Sequence, residues 1–256
     1  MKHFVIVGTQ RTGSSALGEG IGLHPEITCG WEWTEHVARG KKLKLAHQAM
    51  AGDFSGLYPH HQEHMKKEFG LDTKWLGFRR LFGASNKWLF QPQYSLVLWR
   101  DRFEEHIKWF QSQSDIHIIH IIRQDNINWL KSKYVADKAK SFIGQSYPEG
   151  LTVKIPIRDA VSRLISKNWI DSRLATLTAT NSYIQIIYED MLTDQNSVTK
   201  NALDFLGCDS NLLPEKEQII RKQSSGGAEK YIENYEELTT ELKRLDLLKS
   251  KVEFVR

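Results

Sequence analysis

Short β-branched runs alternate along this chain with longer stretches of helical periodicity. The strand-like runs are His3–Val7, Glu26–Cys29, Trp75–Phe78, His117–Ile122 and Tyr183–Tyr188. The fourth sits in "IHIIHII", nearly continuous in isoleucine, as a strand buried on both faces should be. Helical spacing covers Ser14–Leu23, Thr34–Met50, Arg102–Gln113, Asn126–Lys140, Arg158–Thr178, Gln195–Leu206 and Glu236–Lys249. This order predicts an α/β fold of three layers, with a central, mostly parallel sheet of about five strands and helices on both faces. "LGC" at 206–208 reads as a helix closed by a C-cap glycine. Nothing resembles an interdomain linker, so residues 1–256 are expected to form one domain, with "SSGG" at 224–227 a mobile loop inside it.

Composition narrows the picture only slightly. The 256 residues suffice for a sizeable core, and 40% hydrophobic with 26% charged residues is ordinary for a folded chain. A net charge of +4 is compatible with an anionic ligand but too small and dispersed to suggest nucleic acid. Cys29 and Cys208 form neither a disulfide framework nor a metal-ligand spacing, and both read as buried or semi-buried thiols. The chain enters a strand directly after Met1, without a leader pattern, and no run approaches the length of a membrane span. A cytoplasmic, soluble protein is expected.

Two stretches carry chemistry. "VIVGTQRTGSS", Val5–Ser15, has the glycine spacing of a nucleotide-triphosphate loop, with Gly8, Gly13 and Ser15 in place, but Ser14 stands where the phosphate-binding lysine belongs. A strand running into a turn and then a helix converges backbone N–H groups and the positive helix end on one point. Thr12, Ser14 and Ser15 add hydroxyls and Arg11 a permanent planar charge, making an anion cradle. The plainer alternative is a turn that uses Gly and Ser for geometry alone.

In the second stretch, "HIIHIIRQDNINWLKSKYVA", Arg123 follows a buried strand at its carboxyl end, where open parallel sheets place ligands. A magnesium-dependent phosphotransferase usually carries an Asp there. Here Asp125 comes two residues later and reads as a helix N-cap, and Ser132 lies nine residues beyond Arg123 on the following helix. Arg123 alone reads equally as a structural arginine paired with a carboxylate. Together, the two stretches fit a ligand with a short 5′ phospho-anhydride and a separate ribose phosphate: 3′-phosphoadenosine 5′-phosphosulfate (PAPS).

The pair "GTQRTGSSAL" and "IIRQDNINWLKS" resembles the two cofactor motifs of the PAPS-dependent sulfotransferase superfamily. "IIYEDMLTDQNSVTKNALDFLG" is similar to its recurrent Tyr-Glu-Asp-Leu segment and "KQSSGGAEKYIENYEEL" to its C-terminal region, with the likeness closest to the bacterial carbohydrate branch (trehalose, nodulation-factor and lipopolysaccharide sulfotransferases). The resemblance implies a P-loop-NTPase-like fold and metal-free sulfonate transfer to a hydroxyl of a carbohydrate, glycolipid or other small acceptor, leaving 3′,5′-adenosine bisphosphate (PAP). It assigns Arg11, Thr12, Gly13, Ser14 and Ser15 to the 5′ end of the donor, and Arg123 and Ser132 to its 3′-phosphate. Arg221 and Lys222 would close over that phosphate, although Gln223 follows them where cytosolic relatives have glycine.

The acceptor hydroxyl needs a base, and "HPEITCGWEWTEHV" offers Glu32, Glu35 and His36. Glu32 is chosen as nearest the strand's carboxyl end, with Arg11 stabilising the departing phosphate. Trp31 between Gly30 and Glu32 departs from the family's "HP…GE" pattern. On the acceptor side, Trp33, His36, Lys74 and Arg79 are candidates; Trp75, Trp88 and Trp99 suit either sugar rings or core packing. "HHQEH" at 60–64 lacks the H-E-x-x-H spacing, so no metal is expected. No nucleic-acid partner and no integral membrane segment are expected; a homodimer is left open. The competing readings are a P-loop kinase-like phosphotransferase using Mg-ATP and a non-catalytic nucleotide-binding module.

Overall fold

The computed structural model describes residues 2–32, 74–82, 96–140, 147–214 and 226–250. Five strands, β1 (Lys2–Thr9), β2 (Ile27–Glu32), β3 (Trp75–Phe82), β4 (Ile116–Ile122) and β5 (Tyr183–Ile187), form one sheet in the order β2-β3-β1-β4-β5. Every pairing between them is parallel. Helices α1 (Ser14–Ile21), α2 (Leu96–Ser112), α3 (Asn126–Ala139), α4 (Ile157–Ala175), α5 (Tyr188–Thr193), α6 (Gln195–Phe205) and α7 (Tyr235–Arg244) surround it. This is an α/β fold with a parallel sheet flanked by helices, as the alternating pattern predicts.

Strand periodicity divides the apolar side chains between two cores. On one face Val5, Val7, Ile116 and Ile118 pack with α2, α3, α4 and α7 through Phe110, Trp129, Leu164 and Leu242. On the other, Phe4, Ile6, Ile119 and Ile121 pack with α1, α5 and α6 through Leu17, Met191 and Leu203. β4 is therefore covered on both sides, and its five isoleucines are all buried.

Several boundaries move. α2 starts at Leu96, six residues before its predicted first turn, and α4 tightens into a 3₁₀ turn at Thr176–Ala179. α6 ends as expected: Gly207 takes φ 69° and Cys208 N donates to Leu203 O at 3.0 Å, a Schellman closure. α7 stops at Arg244, because residues 247–250 turn back along the loop after β4. Asn126 N donates to Leu248 O at 3.2 Å and Ser250 N to Gln124 O at 3.0 Å. β5 ends at Ile187, so Tyr188 opens α5 instead of extending the strand. The predicted helix Thr34–Met50 and the "HHQEH" run lie outside the described residues. Among the described residues, no helix is long and apolar enough to cross a membrane.

The order places the topological switch between β1 and β4: the chain leaves β1 toward β2 on one side and leaves β4 toward β5 on the other. Open parallel sheets bind ligands outside the carboxyl ends of strands at such a point.

Candidate active site

The loop after β1 is tightly fixed. Arg11 and Gly13 both take left-handed backbone conformations, φ 68° and 86°. For Arg11 that costs about 1–2 kcal/mol, which the surroundings must offset. α3 supplies the restraint: Trp129 Nε1 donates to Gln10 O at 2.8 Å and Lys133 Nζ to Gln10 Oε1 at 2.9 Å. Gly13 caps α1, and a Cβ built there would lie 2.5 Å from Tyr188 Cδ2, so only glycine fits. No side chain caps α1, which leaves the positive start of the helix for an anion. One predicted contribution changes. Thr12 is fully buried and gives its hydroxyl proton to Thr9 O at 2.8 Å, so it holds the turn together instead of donating to a ligand.

The loop after β4 comes to the same place. Arg123 is 8% exposed, its Nη1 donates to Arg11 O at 3.2 Å, and its guanidinium lies 4.6 Å from the Tyr188 ring centroid. Its Nε is buried without a hydrogen-bond partner. Burial pushes the guanidinium pKa down, while Tyr188, Glu189 and Asp125 hold it up and Arg11 lowers it further. Asp125 caps α3 as predicted, accepting from Asn128 N at 3.0 Å. Ser132 accepts from Arg11 Nε at 3.0 Å, so its hydroxyl faces Arg11. Tyr147 accepts from Arg11 Nη2 at 3.3 Å, and its own pKa is raised by burial, opposed by Arg11.

A third guanidinium joins from β3. Arg79 is 6% exposed, its side chain runs past Gly18 of α1, and Nη1 donates to the Ser15 hydroxyl. Arg79, a candidate for the acceptor side, thus stands beside the start of α1. It also opposes the burial that pushes the Cys29 thiol up to about 12. Lys74 is a correction. It sits at the opposite, amino end of β3, beside Lys2 N, with its ammonium bonded to Glu26. At about 3.3 Å per residue, the eight residues of β3 hold it some 25 Å from the loops. Trp75 is likewise core, packed edge-on against Phe4 and His117.

The backbone of Glu32 ends β2 in register with Arg79, after an irregularity that sets Cys29–Glu32 against Gly77–Arg79. Glu35, His36, Trp33, Arg221 and Lys222 lie outside the described residues. Tyr147, Tyr188 and Glu189 were not singled out from sequence. Strand-forming character runs up to Tyr188 in the "YED" triplet and masks the turn that carries it to the loops.

At the sheet's amino end His24, Glu26 and Cys208 gather within 4.8 Å of one another. Both ring nitrogens of His24 are engaged, Nδ1 with Glu26 N at 3.2 Å and Nε2 with Asp209 O at 3.0 Å. That group braces a turn.

A model of the sulfotransferase family matches residues 4–211. Among solved structures, a sulfotransferase from Alicyclobacillus acidocaldarius is 14% identical over 96% of this chain and 94% of its own, with a TM-score of 0.51. Sulfotransferase STF9 from Mycobacterium avium is 10% identical over 99% and 78%, with a TM-score of 0.47. No curated protein matches the sequence. The family match takes in all five strands, apart from the first two residues of β1, and both arginine loops, and the chain therefore belongs to the sulfotransferase family of enzymes.

Proposed function

We propose that this enzyme moves the sulfonate group of PAPS to a hydroxyl of a carbohydrate, glycolipid or other small acceptor, within one P-loop-NTPase-like domain and without a metal. The carrying observation is the hydrogen bond from Arg123 Nη1 to Arg11 O, which sets the guanidinium of one loop against the backbone of the other at the switch point. The residues fit a doubly anionic nucleotide: the unpartnered Arg123 Nε is a buried donor without an acceptor, and the start of α1 has no side-chain cap. In this reading the 5′ end lies at the start of α1 against Arg11, Gly13, Ser14, Ser15 and Arg79. The 3′-phosphate lies at Arg123, next to the Arg11–Ser132 pair. Lys131 Nζ donates to Gly226 O at 3.2 Å, tethering the segment that follows Arg221 and Lys222 beside α3.

When bound, PAPS supplies an activated sulfur–oxygen bond. The acceptor oxygen forms a new bond to sulfur as the bond from sulfur to the 5′-phosphate oxygen breaks in line. The acceptor's proton passes to the carboxylate of Glu32, whose Cα stands in register with Arg79. Negative charge arriving on the phosphate is met by Arg11, Arg79 and the start of α1. These two guanidiniums and the helix start thereby provide the charge that magnesium provides in a phosphotransferase. Trp33 and His36, which follow Glu32 in sequence, are assigned to the acceptor side.

PAP is expected to raise the melting temperature equally with and without EDTA. Linkage gives about 2.7 kcal/mol at a hundredfold excess over Kd. Stabilisation by Mg-ATP alone would replace this reading with the kinase-like one, and PAP binding without turnover on a broad acceptor panel would leave a non-catalytic module. Glu32→Gln is expected to lower kcat about 10²–10⁴-fold while PAP affinity is kept. A variant that retains most of its activity would remove Glu32 as the base.

A further inference from the structure

We infer that Glu189, with Tyr188 beside it, is the positioning residue that sets Arg123 for a 3′-phosphate. The inference rests on the proposed reading of the cleft. β5 gives way to α5 between Ile187 and Tyr188, and this carries both side chains to the carboxyl end of the sheet. Glu189 Oε2 accepts from Gln124 N at 3.1 Å and Oε1 from Asp125 N at 3.0 Å. These are the two peptide N–H groups directly after Arg123, so one carboxylate clamps the turn with both oxygens. Hydrogen bonds to a charged acceptor are about twice as strong as neutral ones. Residues 247–250 hold the same turn through Gln124 O and Asn126 N. The turn is therefore gripped on its N–H groups by Glu189 and on its flanks by the C-terminal segment.

Tyr188 completes the link. Arg123 lies over its ring at 4.6 Å, and the same ring fills the space that a Cβ on Gly13 would need. Adjacent residues thus touch both loops, Tyr188 the hinge of the first and the arginine of the second, Glu189 the backbone of the second.

Glu189→Gln keeps the size of the side chain but turns an N–H₂ toward one of two peptide N–H groups, so one of the two bonds is lost. Affinities for PAP and for 5′-AMP, measured by calorimetry, separate a grip on the 3′-phosphate from general damage. The PAP-to-AMP affinity ratio is expected to fall about tenfold in Glu189→Gln, with 5′-AMP binding unchanged. Glu189→Asp, which keeps the charge, should recover part of the ratio. Tyr188→Leu should weaken both ligands, because the ring supports both loops. An unchanged ratio in folded Glu189→Gln, or equal losses for the two ligands, would overturn the inference. Should that variant fail to fold, Glu189→Asp serves the same comparison, with a smaller selective loss expected. Wild-type protein that shows no preference for PAP over 5′-AMP would instead refute the assignment of Arg123 to a 3′-phosphate.

Discussion

Replacing Arg11 by alanine is expected to lower sulfonate transfer about 10²–10³-fold, the usual loss when one preorganised donor to a developing oxyanion is removed. The comparison is clean because alanine and arginine pay a similar backbone penalty at φ 68°, so the change isolates the guanidinium. The side chain is already oriented by Ser132 at 3.0 Å and Tyr147 at 3.3 Å, which spares reorganisation when charge develops. Arg11→Lys should recover only part of the rate, since an ammonium lacks the planar fork that spans Ser132, Tyr147 and an anion together. Steady-state rates with PAPS and a turned-over acceptor measure this. A fall of less than about threefold would move the leaving-group role elsewhere.

Asp171→Ala is expected to cost about 3–5 kcal/mol of stability, the scale for removing one partner of a buried ion pair. Lys167 Nζ and Asp171 Oδ2 stand 3.0 Å apart and both side chains are completely buried. His120 Nε2 faces the other carboxylate oxygen at 3.7 Å, and His120 Nδ1 is 2.7 Å from Tyr183 Oη. Gln185 Nε2 donates to that Tyr183 oxygen at 3.1 Å. Tyr183 Oη thus joins His120 Nδ1 to Gln185, while His120 Nε2 faces Asp171. Removing the carboxylate strands a buried ammonium. Replacing Lys167 and Asp171 together with apolar residues of similar volume should cost far less. Burial pushes the Asp171 pKa up, but Lys167 and His120 outweigh it and the group ends below its ordinary value. A depressed folded-state pKa contributes stability above the unfolded carboxylate pKa near 4, and that stability is lost as pH falls through the folded value. Denaturant unfolding of wild type and Asp171→Ala at neutral and acidic pH should show the difference between them shrinking in acid.

The sheet was legible where one rule dominates. An isoleucine run covered on both faces announces itself, and so does a Gly–Ser turn between strand and helix. The Asp125 cap was equally plain from its place before a periodic segment. Other features depend on what the chain meets later. "IIYED" is rich in strand formers up to Tyr188, yet Glu189 finds two peptide N–H donors in the loop after the neighbouring β4, and tertiary hydrogen bonding overrides local propensity. Lys167 and Asp171, four apart, look like an exposed helical pair until α4 docks on β1 and β4 and buries both side chains. Arg79 lies in β3 and Lys74 just before its first residue, and only the register with β1 tells which stands near the loops. Tyr147 carried no pattern, because its partner Arg11 is 136 positions away.

That separation bears on how the cleft comes into being. The bond joining Arg123 to Arg11 closes 112 positions of sequence, and Ser132 is 121 positions from its partner. Loop-closure entropy must be overcome before such distant groups reward the chain, so the two arginine loops come together only once β1 and β4 have paired. Neither arginine segment is a binding module in isolation. A ligand held by both loops is accordingly expected to stabilise the central strands as a unit, and its binding to report on global folding.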